Sequence, residues 1–221
     1  MVVTVLLMVT IGMLMPFRWR MSMVTVWNQL VSVHFLRWFC GIRVEISGAE
    51  NIPAQHPFMV VSNHQSEWET YYLGRLLRPV CMVIKKELLD IPVFGWAMRA
   101  ARHIAVDRSL RHASIDQIIT EGKHRIEKGC NVLIFPEATR MPAGQIKKYS
   151  RTAAKLAVET GVPLVPVVHD AGYCWSNRGE IRPGTIHLCI GPAIETAGRS
   201  ADEIAAQAEQ WSVEKFKELN T

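Results

Sequence analysis

Phe58-Met59-Val60-Val61-Ser62-Asn63-His64 is the stretch whose reading decides the fold. Four apolar residues stop abruptly at a polar triplet, as in a short strand buried on both faces that surfaces at its carboxyl end. In an open α/β sheet, ligands bind along that edge, in the loops that follow the strands. Glu69 follows five residues after His64. It falls in the first turns of a predicted helix running through Tyr72 and Leu77, so a short connection brings a carboxylate within reach of the imidazole. A histidine held in that way acts as a general base on a hydroxyl. Taken by itself the pair has an ordinary alternative, a capping or surface histidine, and the rest of the chain decides between the two.

The pattern recurs on either side. Residues 131–135 form the clearest buried strand and run into Pro136-Glu137-Ala138-Thr139-Arg140, while residues 103–106 run into Asp107-Arg108. Further strands are predicted over 43–47, 80–84, 163–168 and 185–190. Helices fill the intervals. Ile115, Ile118, Ile119 and Ile126 keep helical spacing up to Gly129, residues 150–160 are closed by Gly161, and residues 201–219 form a final helix. Pro92 and Gly95 interrupt the apolar segment 88–101, which predicts a broken helix or apolar loop. Strands alternating with helices imply an α/β fold with a mostly parallel central sheet flanked by helices. Parallel strands would gather the three polar clusters on one edge. There His64, its carboxylate partner and two guanidiniums, Arg108 and Arg140, suit a base acting beside a bound phosphate.

At 221 residues the chain has room for one sizeable core, and its formal charge of +5 suits an anionic partner. No zinc-finger spacing, aromatic ribonucleoprotein signature or dense basic helix points to nucleic acid. The charge sits instead beside strongly apolar segments, which favours an anionic membrane surface or a phosphorylated substrate. The five cysteines are scattered, odd in number and never in a C-x-x-C pair, so neither a disulfide framework nor structural zinc is expected, and the natural compartment is reducing. Nor is there an H-E-x-x-H or equivalent, so no metal is expected.

Residues 1–42 differ in composition from the rest. Residues 1–15 are almost wholly apolar, but at roughly 1.5 Å per residue such a helix falls short of the ~30 Å hydrocarbon core. Pro16-Phe17-Arg18-Trp19-Arg20 then alternates aromatic and cationic side chains, which suits a headgroup zone. A second helix is predicted over 21–42, with Val24, Trp27, Val31, Phe35 and Trp38 as its apolar stripe. The chain therefore divides into an N-terminal membrane-associated helical hairpin, 1–42, and an α/β domain, 43–221. A hairpin packed on the soluble core is the alternative.

The polar blocks resemble those of a known family. His64-Gln-Ser-Glu-Trp-Glu69 resembles the H-x4-D block of the glycerolipid acyltransferases, and Phe135-Pro-Glu-Ala-Thr-Arg140 resembles their F-P-E-G-T-R block. Ile104-Ala-Val-Asp-Arg108 is similar to the segment between these, and Val162-Pro-Leu-Val-Pro166 to their fourth block. Two positions depart from the pattern. The family aspartate is here Glu69, one methylene longer, which still reaches the imidazole N–H with a small backbone shift. The family glycine is here Ala138, at a turn where a positive φ would suit glycine better.

The resemblance implies acyl transfer from acyl-CoA or acyl carrier protein to the sn-2 hydroxyl of lysophosphatidic acid, giving phosphatidic acid. His64 and Glu69 would be catalytic, and Arg108, Glu137, Ala138, Thr139 and Arg140 would hold the acceptor's glycerol phosphate. No cofactor is implied beyond the acyl donor, which is itself a substrate. Because the acceptor lives in a bilayer, the implied place is the cytoplasmic face of the inner membrane. Other readings stay open: transfer to another lysolipid such as lyso-ornithine lipid, a membrane-bound thioesterase using water, or a non-catalytic membrane-surface module.

Overall fold

The computed structural model describes residues 30–220 except 56, 93, 108 and 110. The predicted hairpin therefore lies, up to residue 29, outside the described residues. Its last turns are a π-helical stretch, Leu30–Phe35, continuing into a short helix α1, Leu36–Phe39. This corrects the predicted helix over 21–42 at its end. The helix stops before Gly41, whose φ of 67° turns the chain into the sheet at Ile42. The buried residue is Leu36, whereas Phe35, Trp38 and Phe39 are exposed. Among the described residues no helix is long and apolar enough to cross a membrane.

Seven strands follow: β1 Ile42–Ser47, β2 Met59–Ser62, β3 Val80–Lys85, β4 Ile104–Val106, β5 Asn131–Ile134, β6 Leu164–His169 and β7 Gly184–Ile190. They lie in the order β1-β7-β6-β2-β5-β3-β4. The block from β6 to β4 is parallel, whereas β7 runs antiparallel to β6 and parallel to β1. The sheet is thus mostly parallel, as the uninterrupted apolar strands require. Within β2 and the residue before it, Phe58 and Val60 join the core on one face of the sheet, and Met59 and Val61 the core on the other. A strand covered on both faces has no polar side to show in its sequence.

Helix α2, Trp68–Leu76, covers the first face through Trp68, Tyr72 and Leu73. Helices α4, Arg111–Glu127, α5, Thr152–Thr160, and α6, Ala201–Leu219, supply Ile118, Ile126, Leu156 and Ile204 to the second. Between them in sequence, residues 86–100 break as predicted into a 3-10 turn, Lys86–Asp90, and helix α3, Phe94–Ala100. α5 ends at Gly161, in the left-handed conformation. α6 opens on a capping box in which Ser200 accepts from the Glu203 N–H and the Glu203 carboxylate accepts from Ser200. Because β2, β5 and β6 are adjacent and parallel, the loops that leave their carboxyl ends meet at the middle of one sheet edge.

Candidate active site

Leaving β2, the chain carries Asn63 and His64 straight into the turn that starts α2. At that turn the Glu69 carboxylate is fully buried and saturated with donors. Its Oε1 lies 2.7 Å from His64 Nδ1, 2.8 Å from the Gln65 N–H nitrogen and 2.9 Å from that of Ser66. Its Oε2 accepts from the Ser66 hydroxyl at 2.8 Å. The same hydroxyl accepts the Trp68 N–H, at 3.0 Å, so the turn and the carboxylate fix each other. Burial alone would push the pKa of Glu69 up, but the His169 and His64 imidazoles and the Ser66 N–H overcome it and hold the carboxyl below its ordinary range. Glu69 is therefore ionised, Nδ1 of His64 carries the ring proton, and Nε2 is left as the basic position. The His64 ring stacks on Phe135, centroids 4.2 Å apart.

The loop after β5 locks against this turn. Glu137 is buried, and its two oxygens accept from the His64 N–H at 2.7 Å and the Lys147 N–H at 2.8 Å. In return the His64 carbonyl accepts from the Met141 N–H at 2.7 Å. Desolvation pushes the Glu137 carboxyl up to about 7, with the neighbouring Glu69 charge adding to the effect. Ala138 adopts a φ of 58°, the conformation expected to be uncomfortable for a residue with a Cβ, and its N–H closes the turn onto the Phe135 carbonyl. The turn then presents Thr139 and Arg140 to solvent.

A third loop, after β6, brings a residue that the sequence did not single out. His169 is wholly buried. Its backbone N–H donates to Asn63 Oδ1 at 3.0 Å, and Asn63 Nδ2 donates to its carbonyl at 2.8 Å. The ring accepts the Ala171 N–H at Nδ1 and reaches the Asn63 carbonyl with Nε2 at 3.1 Å, leaving Nε2 3.9 Å from Glu69 Oε2. Burial lowers its basicity, against the opposing pull of the Glu69 carboxylate. The ring was legible only as a satisfied histidine, which it is. The signal that marks it is the one that marked His64, a position at the carboxyl end of an apolar strand.

These loops open onto a cavity of 540 Å³. One wall carries His64, Glu67, Tyr71, Thr139 and Arg140; another is apolar, with Met82, Ile84, Leu88, Phe94 and Met98. Of the residues singled out from sequence, His64 and Glu69 are in direct contact, and Thr139 and Arg140 join His64 in lining the cavity. Glu137 and Ala138 do not line it; they brace and turn the loop. Arg108 lies outside the described residues, and its neighbour Asp107 accepts from Ser109 and does not line the cavity. The carboxylate paired with Arg140 is Glu67, at 2.7 Å, rather than the Glu137 that a short-range surface pairing would suggest. His103, which also lines the cavity, accepts the Met82 N–H at Nδ1 and is held neutral by burial, its pKa lowered to about 4.

With this geometry in hand, comparison with known proteins is direct. Residues 43–170 match the family model described as Acyltransferase. The 1-acyl-sn-glycerol-3-phosphate acyltransferase of Pseudomonas aeruginosa is 40% identical over 214 residues, 95% of this chain and 83% of that protein. Human 1-acyl-sn-glycerol-3-phosphate acyltransferase alpha is 31% identical over 200 residues, 87% of this chain and 70% of that one. The crystal structure of the 1-acyl-sn-glycerophosphate (LPA) acyltransferase, PlsC, from Thermotoga maritima superposes with a TM-score of 0.80 at 24% identity, covering 97% of this chain and 88% of that one, and shares its fold. A family match over most of the α/β region, together with relatives this similar over most of both chains, shows that the chain belongs to the acyltransferase family.

Proposed function

We propose that this acyltransferase moves an acyl group from an acyl thioester, acyl-CoA or acyl carrier protein, to the sn-2 hydroxyl of 1-acyl-sn-glycerol-3-phosphate, giving phosphatidic acid. One observation carries the chemistry: His64 Nδ1 is held 2.7 Å from a buried carboxylate. The opposite ring nitrogen is thereby left to take the hydroxyl proton, in a cavity that also exposes Arg140. As Nε2 takes the proton, the alcohol oxygen attacks the thioester carbonyl. The tetrahedral intermediate then collapses, the C–S bond breaks, and the imidazolium returns its proton to the departing thiolate. Base catalysis of this kind contributes about 10²- to 10⁴-fold. Arg140 and Thr139 would hold the acceptor's phosphate, and Arg108 would join them. Glu137 and Ala138 act at one remove, by fixing the loop that carries them. The substrate assignment is supported by the activity for which the relatives are named and by a cavity that sets Arg140 beside apolar side chains. The exposed Phe35, Trp38 and Phe39 beside the N-terminal segment support a place at the cytoplasmic face of the inner membrane, with residues 1–42 as the anchor and 43–221 as the catalytic domain.

Purified protein incubated with lysophosphatidic acid and labelled acyl-CoA or acyl carrier protein, beside His64→Ala, tests the proposal. Label should enter phosphatidic acid with the wild type only. Folded wild type that transfers no label from either donor would sink the reading. Thioester hydrolysis that survives Arg140→Ala unchanged would favour a thioesterase. The placement fails if replacing Phe35, Trp38 and Phe39 by serine leaves flotation with anionic vesicles unaltered.

A further inference from the structure

Glu67 lies two residues before Glu69 in the turn that opens α2, and it has no part in the mechanism above. Its Oε1 takes a 2.7 Å bond from Arg140 Nη1. Its Oε2 is buried and accepts no hydrogen bond among the described residues. Both side chains line the cavity, beside His64 and Thr139. The contact is thus a single-oxygen ion pair with each partner about one-third exposed, 33% for Glu67 and 39% for Arg140. Such a pair is weak and breaks readily. Tyr71, next along the helix face, is close enough to feel both charges: burial and then Glu67 raise the pKa of its hydroxyl, and Arg140 lowers it.

The chemistry makes this pairing consequential. Acyl transfer leaves the acceptor's phosphate untouched, so any group that binds the acceptor through phosphate binds the product through the same contact. Binding that is equal before and after the reaction lowers KM without raising kcat, and it retains product. A carboxylate that competes for the same guanidinium weakens both states together. Resting on the assignment of Arg140 to the acceptor phosphate, we propose that Glu67 is a specificity-determining exchange partner for Arg140, which phosphate displaces on entry and which reclaims the guanidinium as the phosphorylated product leaves.

The test uses the full-length protein in lipid or detergent, with Glu67→Gln, Arg140→Ala and the double variant. Lysophosphatidic acid serves as acceptor, phosphatidic acid as product inhibitor, and 1-monoacylglycerol as the acceptor without phosphate. Glu67→Gln should lower the lysophosphatidic acid KM and the phosphatidic acid inhibition constant together, by about two- to fivefold, from loss of the exposed pair that competes for the guanidinium. Its KM for monoacylglycerol should not move. In the Arg140→Ala background, Glu67→Gln should change neither constant, and Glu67→Asp should restore part of the wild-type behaviour. A raised KM for lysophosphatidic acid in Glu67→Gln, or the same shift with Arg140 already removed, would overturn the exchange role and leave Glu67 a structural brace. Arg140→Ala with an unchanged acceptor KM would instead overturn the phosphate assignment, and the proposal with it. Thermal denaturation of each variant separates these results from misfolding.

Discussion

Glu67 and Glu69 leave the same helical turn two residues apart and end in different worlds. Glu69 is wholly buried and takes hydrogen bonds from the His64 ring, two backbone N–H groups and a hydroxyl. Glu67 is about one-third exposed, takes one bond through one oxygen, and leaves the other unmatched among the described residues. The difference follows from direction. The turn aims position 69 inward, under the loop that follows β2, and position 67 outward, against Arg140 of the loop that follows β5. The half of the site that moves a proton is preorganised, whereas the half that meets charged substrate is adaptable. Preorganisation suits a group whose geometry must hold to within a fraction of an ångström in the transition state. Exchange suits a group that must let go.

Replacing the buried partner should have the largest effect. Glu69→Gln turns an acceptor-only group into one carrying an NH₂ that faces existing donors, so the imidazole loses its orientation and its stabilisation as a cation. Steady-state kinetics should show kcat falling about a hundredfold or more with acceptor KM nearly unchanged. The mismatch should also cost about 1–3 kcal/mol of stability, read by denaturation. A kcat within a few-fold of wild type would erase the contrast drawn above. Next in size, Arg140→Ala should raise the lysophosphatidic acid KM about tenfold or more while sparing kcat, the mark of binding that is uniform along the reaction.

The buried carboxylates also predict how stability follows pH. Glu69 is held below the ordinary glutamate value of 4.5, so its contribution is complete above about that pH and is lost as the medium is acidified toward the folded value. Glu137 is raised from 4.5 to about 7, so the folded state keeps its proton longer and stability declines as pH climbs through that window. Melting temperatures of the wild type should therefore fall on both sides of pH 4.5 from these two groups. In Glu69→Gln the acid limb should flatten while the limb toward pH 7 remains, and an unchanged acid limb would show that Glu69 is not the group responsible. Smallest of all, Ala138→Gly should relieve the left-handed Cβ contact and, after the added backbone entropy of the unfolded chain, raise stability by about 0.5–1 kcal/mol with kcat unaltered.

What could be read from sequence tracks how local each relationship is. Strands ending in polar triplets were visible because a strand covered on both faces is apolar without interruption, and β2 and β5 are of that kind. Glu69 was visible because it sits five residues from His64. The pairing of Glu67 with Arg140 spans 73 residues, so although Arg140 was singled out as a phosphate ligand nothing local tied it to Glu67; only the parallel neighbours β2 and β5 bring them together. His169 lies 106 positions from the Asn63 that clamps it, and a buried imidazole carries no mark that sets it apart from a solvated one. Reversal of β7 was equally hidden, since a buried apolar strand reads the same in either direction.

The stacking of Phe135 on His64 has one more consequence. With the rings 17° from parallel and centroids 4.2 Å apart, one flat side of the imidazole is shut. Its inner nitrogen is tied to Glu69, so the outer nitrogen must be met edge-on, from the cavity side alone. Such a one-sided approach gives the reaction a handedness: an alcohol arriving from that quarter can strike only the face of the carbonyl turned toward it. Mirror-image glycerol acceptors would bring their hydroxyl to the ring from different quarters, and competing the two against each other would show how strictly a single phenyl ring enforces the choice.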